Sequence, residues 1–172
     1  MELKELSEKT IKLLGASSMD ELGSKLMAAC SDYEKLSAFR NMVGGDLTVD
    51  WLQMIYQYYQ ADRKGKKQDY TPKSLAQFMG MLAGNSGHII DLCAGSGALI
   101  IQKWAMAPNT RFTAIEIDEN VFPYLLFNMV LRNIRCRVYR MDALGDFDEY
   151  EEAYEIMKGE EFGIITHIKP AI

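Results

Sequence analysis

Apolar residues recur every three or four positions through the first third of the chain, the spacing of helices that bury one face. Leu3, Leu6, Ile11, Leu13 and Leu14 make a short amphipathic stretch, and Leu22, Leu26, Ala29, Tyr33 and Leu36 make a second over residues 19–39. Ser18, followed by Met19, Asp20 and Glu21, fits an N-cap with acids in the first turn. Gly44 and Gly45 break the pattern, which resumes over 48–60 with Trp51, Ile55, Tyr58 and Tyr59. Thr71 and Pro72 fit an N-cap and a first-turn proline for a helix over 73–82. Beyond Gly84 the period changes. Strands are predicted over 88–92, 111–117, 135–141 and 162–168, with helices over 98–105, 119–133 and 148–157. Such alternation implies parallel strands joined by right-handed crossovers.

A length of 172 residues suits one ordinary domain, and 48% hydrophobic with 25% charged residues is a globular composition. The longest apolar runs are too short to span a bilayer, and the first ten residues carry no signal-peptide core, so a cytoplasmic location is expected. Cys30, Cys93 and Cys136 are too far apart for a metal-binding or redox pair, and two histidines add no zinc set. Cys93 reads as a small buried residue, with nothing basic beside it to activate a thiol. A net charge of -5 gives no global attraction to nucleic acid, which leaves two local patches. One is Arg63, Lys64, Lys66 and Lys67; the other is Arg132, Arg135, Arg137 and Arg140. Both read as solvated surface.

The informative segment runs from Asp91 through Leu92, Cys93, Ala94, Gly95 and Ser96 to Gly97. A strand ending in an acid, two glycines and then a helix lets a ligand approach backbone that no Cβ shields. Glu116 ends the next strand, nineteen residues beyond Gly97, where a carboxylate accepts from ribose hydroxyls. Asp142 ends the third strand and shares the same carboxyl edge. A dinucleotide fits poorly, because Ile100 stands where its third glycine belongs and Asp91 repels a pyrophosphate. A cationic ligand with ribose and adenine, S-adenosylmethionine, suits these acids better.

Those motifs, with Tyr70-Thr71-Pro72 ahead of them and Asn128-Met129 in the following helix, resemble the class I S-adenosylmethionine-dependent methyltransferases. Within that class the likeness is to adenine amino-group DNA methylases of the type I restriction-modification kind, over about residues 69–145. The resemblance implies an α/β Rossmann-like core over 69–172 with a short parallel sheet of order 3-2-1-4, packed as one unit with a helical segment over 1–68. It implies that Thr71 holds the methionine carboxylate and Asp91 the ammonium. Cys93, Ala94, Gly95, Ser96 and Gly97 would line the methionine moiety, with Glu116 on the ribose. Ile117 would lie against adenine, with Asp142 and Ala143 at its amino group. Thr71 as a plain N-cap and Asp142 as a turn residue remain open, and Asp118 reads as a cap for the next helix.

The family's fourth strand delivers an Asn-Pro-Pro-Tyr motif that orients the target amine and stacks the flipped base. Here His167, Ile168, Lys169 and Pro170 occupy that place, so the expectation is cofactor binding without independent DNA methylation. The expected partners are DNA, weakly, and a second copy or second chain at the exposed fourth strand. A small-molecule or protein methyltransferase and a non-catalytic interaction module are the alternatives.

Overall fold

A computed structural model describes residues 2–59, 71–84, 87–146 and 149–169. Four helices come first: α1 (Leu3–Leu14), α2 (Leu22–Ala29), α3 (Tyr33–Met42) and α4 (Trp51–Tyr59). Then follow α5 (Lys73–Leu82), β1 (His88–Asp91), α6 (Ala98–Met106), β2 (Arg111–Glu116), α7 (Phe122–Leu131), β3 (Cys136–Arg140), β4 (Glu152–Met157) and β5 (Ile164–Ile168). The single stretch expected over 19–39 is two helices, because Asp32 caps α3 through the Lys35 amide (3.1 Å). Ser18 is not a cap; α2 starts at Leu22 behind Glu21. Pro72, not Thr71, takes the N-cap position of α5, with no side-chain cap bond.

Helix α7 explains how the halves join. Its sequence is apolar nearly all round and nine of its ten residues are buried, the pattern of a helix wrapped on every side. Edge-to-face pairs Phe39–Phe127 (5.4 Å) and Tyr56–Tyr124 (5.0 Å) fix α3 and α4 to it. One continuous apolar core therefore runs from Leu6 and Leu26 through Leu125 and Phe127 to Phe112, Val138 and Ile156 on the sheet.

The sheet order is β1-β2-β3-β4-β5, not 3-2-1-4. β1, β2 and β3 are parallel as expected, with Ile89 beside Phe112 and Ala114 beside Val138. The segment expected as a helix over 148–157 is instead β4, antiparallel to β3, and β5 returns antiparallel to β4. Charge pairing across the ladder favours this register: Arg137 faces Glu155 (3.1 Å), and Arg140 meets Glu152 (3.0 Å) and Glu151. The hairpin is also tied to the helices. The Asn133 side chain donates to Gly159 O and accepts from Gly159 N (both 2.9 Å), and Gly163 N donates to Val130 O (2.8 Å). Arg40 of α3 binds Glu161 (2.6 Å) and covers the Phe162 ring (5.1 Å). The sheet thus continues outward from β3, and among the described residues β1 and β5 are its two edges.

Candidate functional site

The carboxyl ends of β1, β2 and β3 carry the predicted acids on one edge of the sheet. At the end of β1 the chain turns through Gly95 (φ 55°) and Gly97 (φ 96°), left-handed conformations that side chains resist. Ala94 N donates to Ile115 O (2.9 Å) and Gly97 N to Ala94 O (2.8 Å), holding the turn against β2. Glu116, 8% exposed, closes it: one carboxylate oxygen accepts from Gly95 N and the other from Asp118 N, both at 2.8 Å. Its burial therefore has a structural account, and each oxygen retains a lone pair for a further donor.

Asp91 differs. Its Oδ2 is buried with no hydrogen-bond partner among the described residues. Burial pushes its carboxyl above the ordinary aspartate value; the Cys93 amide pulls it down, and the nearby Glu116 pushes it up again. A buried acceptor with no donor is costly, and a ligand that brings a cationic donor relieves that cost. Asp91 and Glu116 both point into the helix-covered face of the sheet, and their carboxyls interact. Between them sits the glycine turn. Ile117, one residue beyond Glu116, is 61% exposed and offers a bare apolar surface beside the acids.

A buried polar network beneath the turn was not legible as functional in the sequence. Ser96 Oγ donates to Asp50 Oδ2 (2.6 Å), and Asn128 Nδ2 donates to both Asp50 Oδ1 and Ser96 O (2.9 Å each). Arg132 Nη1 donates to Asn128 Oδ1 (2.7 Å), while its Nε and Nη2 donate to Leu47 O (2.7 Å) and Val49 O (2.8 Å). Burial pushes the Arg132 guanidinium down to about 10, against the pull of Asp50 and Asp46, so it stays charged. Asp50 also caps α4, accepting from Gln53 N (2.9 Å). The signal for its place in the network was the arginine at the end of an otherwise apolar helix.

The remaining residues sort as follows. Asp142 is exposed beyond β3 and accepts from Leu144 N (2.9 Å), a turn role, with Ala143 half-buried beside it. Asp118 Oδ1 accepts from Asn120 N (2.9 Å) in the turn ahead of α7 rather than capping the helix itself. Thr71 is half-buried just ahead of α5. Cys93 is exposed, not buried, because the turn carries it out past the sheet edge. His167 lies on β5, four positions across the sheet from β1, with its ring against Tyr154 (5.0 Å). It is therefore not beside Asp91, since the expected order would have put its strand next to β1. The second basic patch is not one surface. Arg132 is buried and Arg140 is paired, while Arg135 and Arg137 line a groove of about 190 Å³ at the opposite, amino edge. The patch at Arg63, Lys64, Lys66 and Lys67 lies outside the described residues. Among the described residues no helix is long and apolar enough to cross a membrane.

Comparison with known proteins gives one family. A model of the N-6 DNA Methylase family matches residues 46–158, two-thirds of the chain, from the Asp50 network through β4. No curated protein matches. Two solved structures are similar. One is a Listeria monocytogenes chain described as a class I S-adenosylmethionine-dependent methyltransferase, at 14% identity, TM-score 0.48, over 84% of this chain and 55% of that one. The other is the type I restriction-modification methyltransferase subunit of Streptococcus thermophilus, at 15% identity, TM-score 0.43, over 83% of this chain and 43% of that one. The chain thus spans about half the length of either.

Proposed function

The chain belongs to the N-6 DNA methylase family, and from that premise we propose that it binds S-adenosylmethionine at the carboxyl edge of β1 and β2. When bound, this cofactor supplies a methyl group on a positively charged sulfur. The observation that carries the reading is the unpartnered, buried oxygen of Asp91 beside a glycine turn that no Cβ obstructs. Asp91 takes the ammonium of the methionine moiety, and Thr71 its carboxylate. Cys93, Ala94, Gly95, Ser96 and Gly97 line that moiety with backbone. Glu116 accepts from the ribose hydroxyls with the lone pairs its two backbone donors leave free, and Ile117 covers one adenine face. Asp142 accepts from the adenine amino group, with Ala143 alongside.

Methyl transfer to an exocyclic amine also needs acceptors that aim the amine's lone pair at the methyl group. We assign none of these to the described residues, His167 being four strand positions from the turn. The chain accordingly holds cofactor, and transfer to DNA adenine requires groups from elsewhere.

Thermal unfolding with and without cofactor tests the reading. A ligand that binds only the folded chain stabilises it by about 2.7 kcal/mol when present at about 100 times Kd. We expect the melting temperature to rise with S-adenosylmethionine and with S-adenosylhomocysteine but not with NAD. Glu116→Ala weakens the effect by about 1–3 kcal/mol of binding free energy, the scale of a charged hydrogen bond. No rise with either compound contradicts the proposal.

A further inference from the structure

Arginine in the described residues comes with a partner, with two exceptions. Arg40 binds Glu161, Arg132 sits in the buried network, Arg137 binds Glu155, and Arg140 binds Glu151 and Glu152. Arg111 and Arg135 make no side-chain hydrogen bond or ion pair to any described residue. Both are exposed, and both line the groove of about 190 Å³ at the amino edge of the sheet.

The ladder holds these two cations side by side. Arg111 N donates to Gly87 O (3.1 Å) and Phe112 N to Arg135 O (3.0 Å), which ties the amino ends of β1, β2 and β3 together. His88 stands opposite Arg111, and Phe112 opposite Cys136, so the residues just before that pair, Arg111 and Arg135, face each other as well. Ile89, Phe112 and Cys136 belong to or pack on the core, and period-two alternation sends His88, Arg111 and Arg135 to the other face. Two residues on, Thr113, Arg137 and Glu155 form the next row of that face, with the Thr113 hydroxyl bonded to His88 Nε2 (2.9 Å). Like charges directly opposite each other on neighbouring strands are destabilising. Elsewhere in this sheet an arginine faces a glutamate, Arg137 with Glu155 and Arg140 with Glu152. The Arg111–Arg135 row lacks that answer in a chain whose net charge is -5. An anion between the two guanidinium groups supplies it.

Charge and volume define the anion. The groove lining carries three arginine charges and one glutamate charge, a surplus of two. A phosphate monoester carries about two negative charges at neutral pH, whereas a nucleic-acid backbone carries one on each phosphate. The volume of about 190 Å³ is below the ~300 Å³ at which pockets begin to enclose a whole organic ligand. It therefore takes the anionic group and leaves its substituent outside. The guanidinium fork matches phosphate oxygens two at a time.

We propose that this groove is a phosphate-monoester site, in which Arg111 and Arg135 donate to the phosphate oxygens and Arg137, held by Glu155, adds positive potential from the next row. Glu116 ends β2 five residues beyond Arg111, roughly 17 Å along the strand at about 3.3 Å per residue. S-adenosylmethionine carries no phosphate, so the inference is independent of the cofactor reading. The monoester comes from a free metabolite or from the phosphorylated end of a nucleic-acid strand, and the test separates the two.

Phosphorus NMR titration of the full chain near neutral pH compares methyl phosphate, a dianion, with dimethyl phosphate, a monoanion. Methyl phosphate is expected to bind with a Kd of about 1 mM or tighter, and dimethyl phosphate at least tenfold more weakly. Arg111→Gln and Arg135→Gln should each weaken methyl phosphate at least tenfold, and Lys4→Gln on the exposed side of α1 should leave it unchanged. Each arginine variant removes one of two repelling charges from an exposed position, so both should melt at or above the wild-type temperature. Fluorescence anisotropy with DNA duplexes then identifies the source. A 5′-phosphorylated duplex that binds at least tenfold tighter than the unphosphorylated one indicates a strand end, and no difference between them indicates a free metabolite. Equal affinity for the two methyl esters, or affinity indifferent to both arginine variants, overturns the proposal. A lower melting temperature in both variants overturns it too, because the arginines then serve the fold. So does an unphosphorylated duplex that binds tighter than methyl phosphate and loses affinity on Arg111→Gln, which makes the groove a surface for the DNA backbone.

Discussion

Arg132→Met is expected to cost about 3–5 kcal/mol of folding stability, the scale for removing one partner of a buried charge network. Arg132 is 3% exposed, and its guanidinium donates to Leu47 O, Val49 O and the Asn128 carboxamide oxygen. Methionine fills much of the volume but donates nothing, so three acceptors lose their partners and Asp50 loses its nearest buried cation. Because Asn128 and Asp50 hold Ser96 from below, the glycine turn loosens as well. The variant should therefore lose cofactor affinity even at temperatures where it stays folded. Urea unfolding measures the first effect, and a change in ΔG below about 1 kcal/mol, the usual effect of an ordinary substitution, contradicts the network as described.

Gly97→Val is the second large effect. A Cβ at this position stands 2.7 Å from the Met129 methyl and 3.1 Å from a Leu125 methyl, both on fully buried side chains of α7. The φ of 96° adds a conformational cost. Strain of about 1–3 kcal/mol and overpacking of about 1–3 kcal/mol combine in the folded state. The Met129 and Leu125 methyls can give by side-chain rotation, but the left-handed backbone strain is relieved only by shifting the turn, which moves the backbone amides beside Asp91. The expected outcome is a destabilised chain that no longer responds to S-adenosylmethionine in thermal unfolding. A variant with wild-type stability and wild-type response would mean that the turn does not contact the ligand.

The part of the fold visible in the sequence is the part set by local pattern. The runs that form β1, β2 and β3, with apolar cores and terminal acids, and the glycines between β1 and α6, announce a strand–turn–helix unit without help from the rest of the chain. β4 was hidden because Glu149 to Met157 alternates charge and apolar residues in a way that also suits an amphipathic helix. Its strand identity comes from Arg137 and Arg140 across the ladder. The strand order was hidden for a related reason. Asn133, Gly159 and Gly163 pin the β4–β5 hairpin to the end of α7, and such contacts have no periodic signature. His167 was misplaced as a consequence of that order. In the site, Asp91, Glu116 and the two glycines were legible because strand-end acids and glycine turns are local. Asp50 and Arg132 were not, since they meet through Asn128 across about eighty residues of chain, and an arginine in sequence looks the same whether solvated or buried. Cys93 shows the reverse error: a small thiol near an apolar strand is expected inside, and the turn carries it out.

Asp91 offers the most direct test of the account, because burial raises its carboxyl above the ordinary value of 3.8. The folded chain then holds this proton more tightly than the unfolded chain. Its contribution to stability is greatest at low pH and is lost as pH rises from the unfolded value through the raised folded value. A cationic ammonium binds the ionised form, so cofactor affinity should move the opposite way, strengthening with pH across the same window. Calorimetric titration of the full chain with S-adenosylmethionine, repeated on Asp91→Asn and at several pH values above 4, reads both effects. Binding by the wild type is expected to tighten with pH, and the variant is expected to be at least as stable as wild type yet to bind ten- to a hundredfold more weakly. Equal affinity in the two proteins, or no binding by the wild type at any pH, would contradict it.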